Sequence, residues 1–315
     1  MKQNTFVKTL LAAVLFSGLT FTSCKKDDPL PVETTKSIAE LAAATPDLSL
    51  LSAAITHAGL TATLTAAGTY TVFAPTNDAF IAAGLGTVDL INAVDPAALS
   101  AILLYHTLSS IVLAAAVPAG PNAAVATLNT ANIYLTNKAA GVFVNGAQVT
   151  TADIAASNGV VHIIGKVLSA PIGNIVATAQ SNADLTYLVA AIIRASTGAT
   201  DVLTLLSGTD PYTVFAPTNA AFIAAGFATI ADINAADPDA LAAILTYHVT
   251  AGWVFSSDLS DGLMPTMLNA GMVTINVTGG ATVKGITNTT ASNITAVDVV
   301  TTNGVVHIID QVLLP

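Results

Sequence analysis

Few residues in this chain could do chemistry, and their spacing limits what that chemistry is. The 315 residues include one cysteine and five histidines. A single thiol, Cys24, closes no intrachain disulfide and builds no cysteine-based metal cluster. Four histidines recur in two settings. His106 and His248 each follow a tyrosine, in Tyr105-His106 and Tyr247-His248. His162 and His307 each sit inside the segment Asn-Gly-Val-Val-His-Ile-Ile. An imidazole can ligate a metal or move a proton near neutrality. Neither use finds the spacing it needs, because there is no His-Glu-x-x-His, no cysteine pair and no neighbouring carboxylate triplet. These histidines lie instead on apolar stripes, where a buried ring must find a hydrogen-bond partner. They are expected to bond backbone, and no catalytic residue, cofactor or metal is expected. His57 has no counterpart, since Arg194 stands at its position, and it is read as surface. Asp258-Leu-Ser-Asp261-Gly262 lacks the further acids and closing glutamate of a calcium loop. Phosphate loops, nucleophile elbows and dinucleotide fingerprints are absent.

Composition narrows the class further. Hydrophobic residues make up 53% of the chain and charged residues 9%, with 9 Lys+Arg against 19 Asp+Glu and a formal charge of −10. A phosphate-neutralising surface cannot be assembled from so few cations, so nucleic acid is excluded as a partner. Past residue 23 Thr, Asn, Gly and Pro interrupt every apolar run before the ~18 residues a spanning helix needs. The excess apolar content is aliphatic and belongs to globular cores.

The first residues read as an address. Lys2 and Lys8 precede the apolar segment Thr9–Thr20, and Phe21-Thr22-Ser23-Cys24 follows. The arrangement resembles a bacterial lipoprotein signal, with residues 1–23 removed and Cys24 acylated. Phe21 stands where such signals usually carry leucine, and an ordinary signal peptide followed by a free thiol is the other reading. Residues 24–35, rich in charge and proline, form a tether. Acyl chains at Cys24 would hold the protein on a membrane, each buried methylene contributing ~0.8 kcal/mol. The expected location is exported and lipid-anchored, at the outer membrane, cell surface or periplasmic face.

The body of the chain is a duplication. Thr71-Val-Phe-Ala-Pro-Thr-Asn-Asp-Ala-Phe-Ile-Ala-Ala-Gly84 recurs at Thr213–Gly226, 142 residues on, with one change. Asp95-Pro96 and the Tyr-His pair recur at the same offset, and Asn158–Ile164 recurs at Asn303–Ile309. The offsets imply extra residues in the second copy, assigned to loop-like stretches such as Ser207–Asp210. Two domains follow, 36–170 and 171–315. Within the first, the spacing predicts a helix over Ile38 to about Gly59 and a strand from Tyr70. Thr76 or Asn77 caps the next helix, and Asp95 caps another that has Pro96 in its first turn. Leu99, Ile102, Leu103 and His106 make one buried face. Val142–Val149 reads as a hairpin turning at Asn145-Gly146, and Val160–Ile164 as the closing strand. Helices first and strands later define an α+β fold. Trp253, Phe255, Met264 and Met267 occur only in the second copy, either as a partner-facing apolar patch or as filling for a copy-specific gap.

The Thr-Val-Phe-Ala-Pro-Thr-Asn segment, the Tyr-His pair and the Asn-Gly-Val-Val-His-Ile-Ile segment, in this order and twice over, resemble the fasciclin domain family. The resemblance implies two tandem fasciclin-type domains, each a β-sheet wedge or sandwich with helices packed alongside. It implies cell adhesion or attachment to matrix, without enzymatic activity, with a surface or matrix protein or a glycan as partner. It also points to possible adhesion residues: Tyr105, His106, Asp153 and Ile154 in the first copy, and Tyr247, His248, Asp298 and Val299 in the second. Read from the residues alone, the tyrosines equally fit packing and the aspartates equally fit turns or caps. The fuller integrin-binding motifs of animal members are not present. The alternative function is a periplasmic or surface binding protein for a glycan or small molecule, which needs a concave pocket with convergent polar groups.

Overall fold

The structure is a computed structural model that describes residues 35–120 and 122–315. The expected leader, the acylated Cys24 and almost all of the tether lie outside the described residues. Residues 35–315 form one compact unit.

The helices of domain 1 are α1 (Ile38–Ala44), α2 (Ser49–His57), α3 (Thr61–Thr65), α4 (Asn77–Ala82), α5 (Val88–Asn92) and α6 (Pro96–Tyr105). Its strands are β1 (Tyr70–Pro75), β2 (Thr107–Leu108), β3 (Ala123–Ala126), β4 (Asn132–Lys138), β5 (Gly141–Val144), β6 (Ala147–Ala156) and β7 (Gly159–Ile164). Domain 2 repeats them as α7 (Ile175–Gln180), α8 (Thr186–Ala195), α9 (Val202–Ser207), α10 (Asn219–Ala224), α11 (Ile230–Ala235) and α12 (Pro238–Thr246). Its strands are β8 (Tyr212–Pro217), β9 (Val249–Ala251), β10 (Thr274–Asn276), β11 (Thr282–Lys284), β12 (Ser292–Thr301) and β13 (Gly304–Ile309).

The caps stand where side-chain chemistry puts them. Thr76 and Asp95 accept from the backbone N–H groups of Ala79 and Ala98, and Thr218 and Asp237 do the same in domain 2. The single helix expected over 38–59 is two, because Pro46 lacks an amide hydrogen and starts a 3₁₀ turn, Pro46–Leu48. The extra residues of copy two are also placed differently. The loop Ser196–Asp201 between α8 and α9 is longer than its counterpart Ala58–Leu60, whereas Ser207–Asp210 has a matching stretch in domain 1. A second insertion turns the two-residue hairpin tip Asn145-Gly146 into the seven-residue turn from Gly285 to Ala291.

Each domain carries one mixed sheet. The first runs β2-β1-β7-β6-β5-β4-β3 and the second β10-β11-β12-β13-β8-β9. β1 pairs parallel with β7, and β8 with β13, while the other neighbours are antiparallel. The two repeated signatures thus lie side by side at the sheet centre. Both faces there are covered, which explains why β1 is apolar at nearly every position. In domain 1 the helices pack one core around Ile55, Phe80 and Leu103, and the curled outer strands close a second around Phe73, Tyr105 and Ile133. Domain 2 has the same pair of cores. Among the described residues no single helix is long and apolar enough to cross a membrane.

Candidate functional site

The Tyr-His pair is built at the end of α6, where the helix stops and the chain turns into β2. Tyr105 is buried; its hydroxyl donates to Asn132 O at 2.9 Å and accepts from Asn145 Nδ2 at 3.0 Å. Burial pushes its pKa up to about 12. His106 is buried as well. Its Nδ1 lies 2.8 Å from Ile102 O, and its Nε2 accepts from Leu168 N at 2.8 Å. A carbonyl on one nitrogen and an N–H on the other require a neutral ring with its proton on Nδ1. Desolvation lowers the pKa to about 4. Tyr247 and His248 repeat the arrangement, bonding Met272 O, Ile286 N, Ile244 O and Leu313 N. Side chains without accessible surface make no direct contact with a partner. The histidines tie the helix end to the segment that leaves the closing strand, and the tyrosines tie it to the outer strands and the turn between them.

The second histidine pair supports a loop. His162 on β7 stacks on Phe73, accepts from Asp153 N at 3.2 Å and donates through Nε2 to Val112 O at 2.8 Å. Asp153 sits at a β-bulge with φ of 59°, and its carboxylate accepts from Ala114 N at 2.9 Å. Thr71 Oγ1 accepts from Val112 N and donates to Ser110 O. Three side chains therefore pin the loop Ser110–Ala116. In domain 2, His307, Asp298 (φ of 60°) and Thr213 pin Gly252–Asp258 through the same backbone positions. Asp153 is exposed, while Asp298 is buried and also accepts from Ser256 Oγ. A left-handed aspartate costs about 1 kcal/mol or more, and its recurrence in both copies fits this capping duty. Ile154 and Val299 are half-buried against the helical cores.

In domain 2 the pinned loop has a use. Trp253 stacks on Tyr134 of domain 1 with ring centroids 4.0 Å apart, and Phe255 lies beside them, fully buried. Asp258 receives Lys138 Nζ at 2.5 Å and Asn122 Nδ2 at 2.9 Å, and Asn122 also donates to Trp253 O. Lys166 Nζ stands 3.9 Å from the Asp298 carboxylate. Gly146, at φ of 78°, turns the β5–β6 hairpin so close to Asp298 that any Cβ there would meet its carboxylate. The copy-specific aromatics Trp253 and Phe255 thus face the neighbouring domain. Met267 fills the β-side core of domain 2, and Met264 is exposed.

Sequence reasoning missed two groups. Asn158 opens the closing signature; its Oδ1 accepts from Ile38 N, and its Nδ2 donates to Leu64 O and Ala66 O. Asn303 does the same for Ile175, Leu206 and Gly208. The repetition of this asparagine before glycine was the available signal. His57, read as surface, is partly buried and bonds Val94 O at 2.9 Å. Arg194 Nε bonds the equivalent Ala236 O at 2.9 Å, so the two unlike residues do one job.

A cleft of about 450 Å³ lies where the linker meets domain 2, lined by Ser169, Ile172, Thr178, Ser181 and Val299 among others. The Thr178 hydroxyl is buried without a hydrogen-bond partner. Among the described residues no group of three or more His, Cys, Asp or Glu is placed to hold a metal ion.

The fasciclin domain model matches residues 46–170 and 184–315, and the chain belongs to the fasciclin domain family. Transforming growth factor-beta-induced protein ig-h3 of Sus scrofa is 32% identical over 251 residues, covering 79% of this chain and 35% of that protein. Protein sll1483 of Synechocystis is 42% identical over 135 residues, 42% of this chain and 73% of its own length. The chain spans about a third of the length of ig-h3. The solved domain pair of the insect cell adhesion molecule fasciclin I aligns over 88% of this chain and 96% of that one, at 20% identity and a TM-score of 0.41.

Proposed function

We propose that this chain is an exported, lipid-anchored surface protein that attaches cells to a neighbouring surface or matrix through the outsides of its two fasciclin domains, without a catalytic step. The observation that carries this reading is the internal engagement of the chemically capable side chains. The Tyr-His pairs and both closing-strand histidines spend their hydrogen bonds on the protein's own backbone and side chains. What remains for a partner is the exterior of two docked bodies, held at a membrane by acyl chains on Cys24. The partner is a surface or matrix protein or a glycan. Family membership supports the adhesive reading, since fasciclin domains occur in cell-adhesion proteins.

The test displays the chain on a cell that lacks it and measures attachment to surfaces coated with matrix proteins or glycans. Attachment should rise with display. Cys24→Ala should abolish palmitate incorporation and release the protein from membranes. The cleft at the linker favours one other reading, a binding protein for a glycan or small molecule, because its volume of about 450 Å³ falls in the range of ligand pockets. A saturable thermal shift with such a ligand, together with unchanged attachment, would select that reading.

A further inference from the structure

The contact between the two domains is heterologous: a loop of domain 2 meets a strand face of domain 1. A heterologous contact does not satisfy itself, and it leaves one loop and one face of the same kinds without a mate.

The unmated loop is Ser110–Ala116 of domain 1. It has the shape of its counterpart, because Val112 and Ala114 are held by the same bonds that hold Val254 and Ser256. Ile111 and Leu113 stand where domain 2 has Trp253 and Phe255, 142 residues on. They are 52% and 47% exposed, whereas Phe255 is fully buried against domain 1.

The unmated face is formed by β10, β11 and the strand-like segment before them. The pairings Leu263–Ile275 and Ile275–Val283 align it with Ala123–Leu135 and Leu135–Val144 of domain 1. On it, Met264, Met272 and Ile286 are 51%, 43% and 68% exposed. Ile286 N–H and Met272 O meet on the hydroxyl of Tyr247, which sets these two residues side by side.

The charges change in concert. Asp258, the acid of the internal contact, has Ala116 as its counterpart on the free loop. Lys138, its cation, has Thr278 as its counterpart on the free face. The Asp258–Lys138 pair therefore leaves no ion without its mate on either surface, an unmated ion being the costly outcome at an interface, and Asp153 beside the free loop, the counterpart of Asp298, is exposed and bonded to Ala114 N. The remaining cation, Lys284, lies across from Thr274 and has a flexible stem that reaches water.

We propose that copies of this chain associate head to tail, the Ile111–Leu113 loop of one copy seating on the Met264, Met272 and Ile286 face of the next. The contact extends outside the chain the mode that joins the domains within it. It differs in detail, because the seven-residue turn replaces the two-residue tip. The inference stands on the internal interface and does not depend on what the anchored protein adheres to.

The experiment uses the full-length chain carrying Cys24→Ala, so that no acyl chain contributes to association. Its mass is followed by sedimentation up to about 1 mM, the effective concentration that tethering provides. The mass should grow with concentration beyond a dimer. The variant I111D/L113D and the variant M264D/I286D should each remain monomeric with unchanged melting temperatures, since all four residues are exposed. Mixed one to one, the two variants should form a heterodimer and nothing longer, because one intact loop and one intact face remain between them. A monomer at every concentration overturns the proposal. So does association that either variant leaves intact, or a mixture that stays monomeric.

Discussion

Acid should destabilise this protein through histidines that never reach solvent. His106 and His248 are neutral in the folded chain, with pKa values of about 4 against the usual 6.5. The unfolded chain therefore takes up a proton in the window between these values while the folded chain does not. The histidines' contribution to stability is fully present above pH 6.5, falls as pH drops toward 4, and levels off below it. The full gap corresponds to roughly 3 kcal/mol per histidine, most of it falling between pH 7 and pH 4.5. That is a large share of the 5–15 kcal/mol typical of a domain. The assay is urea unfolding at half-unit steps from pH 7.5 to 4.5, followed by the fluorescence of Trp253 at the domain contact and by circular dichroism. His106→Ala should cost about 1–3 kcal/mol at pH 7, because Ile102 O and Leu168 N lose their partner. It should also remove part of the pH-dependent loss, the remainder resting on His248 and on His307, whose pKa burial lowers as well. A wild-type stability that is flat across this window, or a slope that His106→Ala and His248→Ala leave untouched, would refute the buried-neutral assignment.

Three further outcomes follow from the same geometry. Asn158→Ala should cost about 2–4 kcal/mol in urea unfolding, since it orphans one donor and two acceptors under α1 and α3, and Asn303→Ala should match it. Gly146→Ala should destabilise by about 1 kcal/mol or more and loosen the domain contact, seen as a shift of Trp253 emission, because the position needs both a positive φ and room for Asp298. Thr178→Val should be neutral or slightly stabilising in melting experiments, since it removes a buried hydroxyl that bonds nothing.

Sequence alone determined the duplication, the caps at Thr76 or Asn77 and at Asp95, and the Asn145-Gly146 turn, because those signals act within a few residues. It also made the histidines structural, since an imidazole among valines and isoleucines must be satisfied internally. It misjudged the first helix by overlooking what Pro46 lacks, and it placed an insertion in the wrong loop because composition does not say which loop lengthens. Tertiary structure decided which distant groups meet. The parallel pairing of the two signatures, the reach of Asn158 across 120 residues to Ile38, and the left-handed aspartates that pin the loops are long-range choices. The same holds for Trp253 and Phe255: their types announced a surface or a filler, and only the docking of the second domain on Tyr134 and Lys138 showed which surface they serve. Contacts between segments far apart in the chain depend on the whole packed arrangement, and no local pattern of residues encodes their partner.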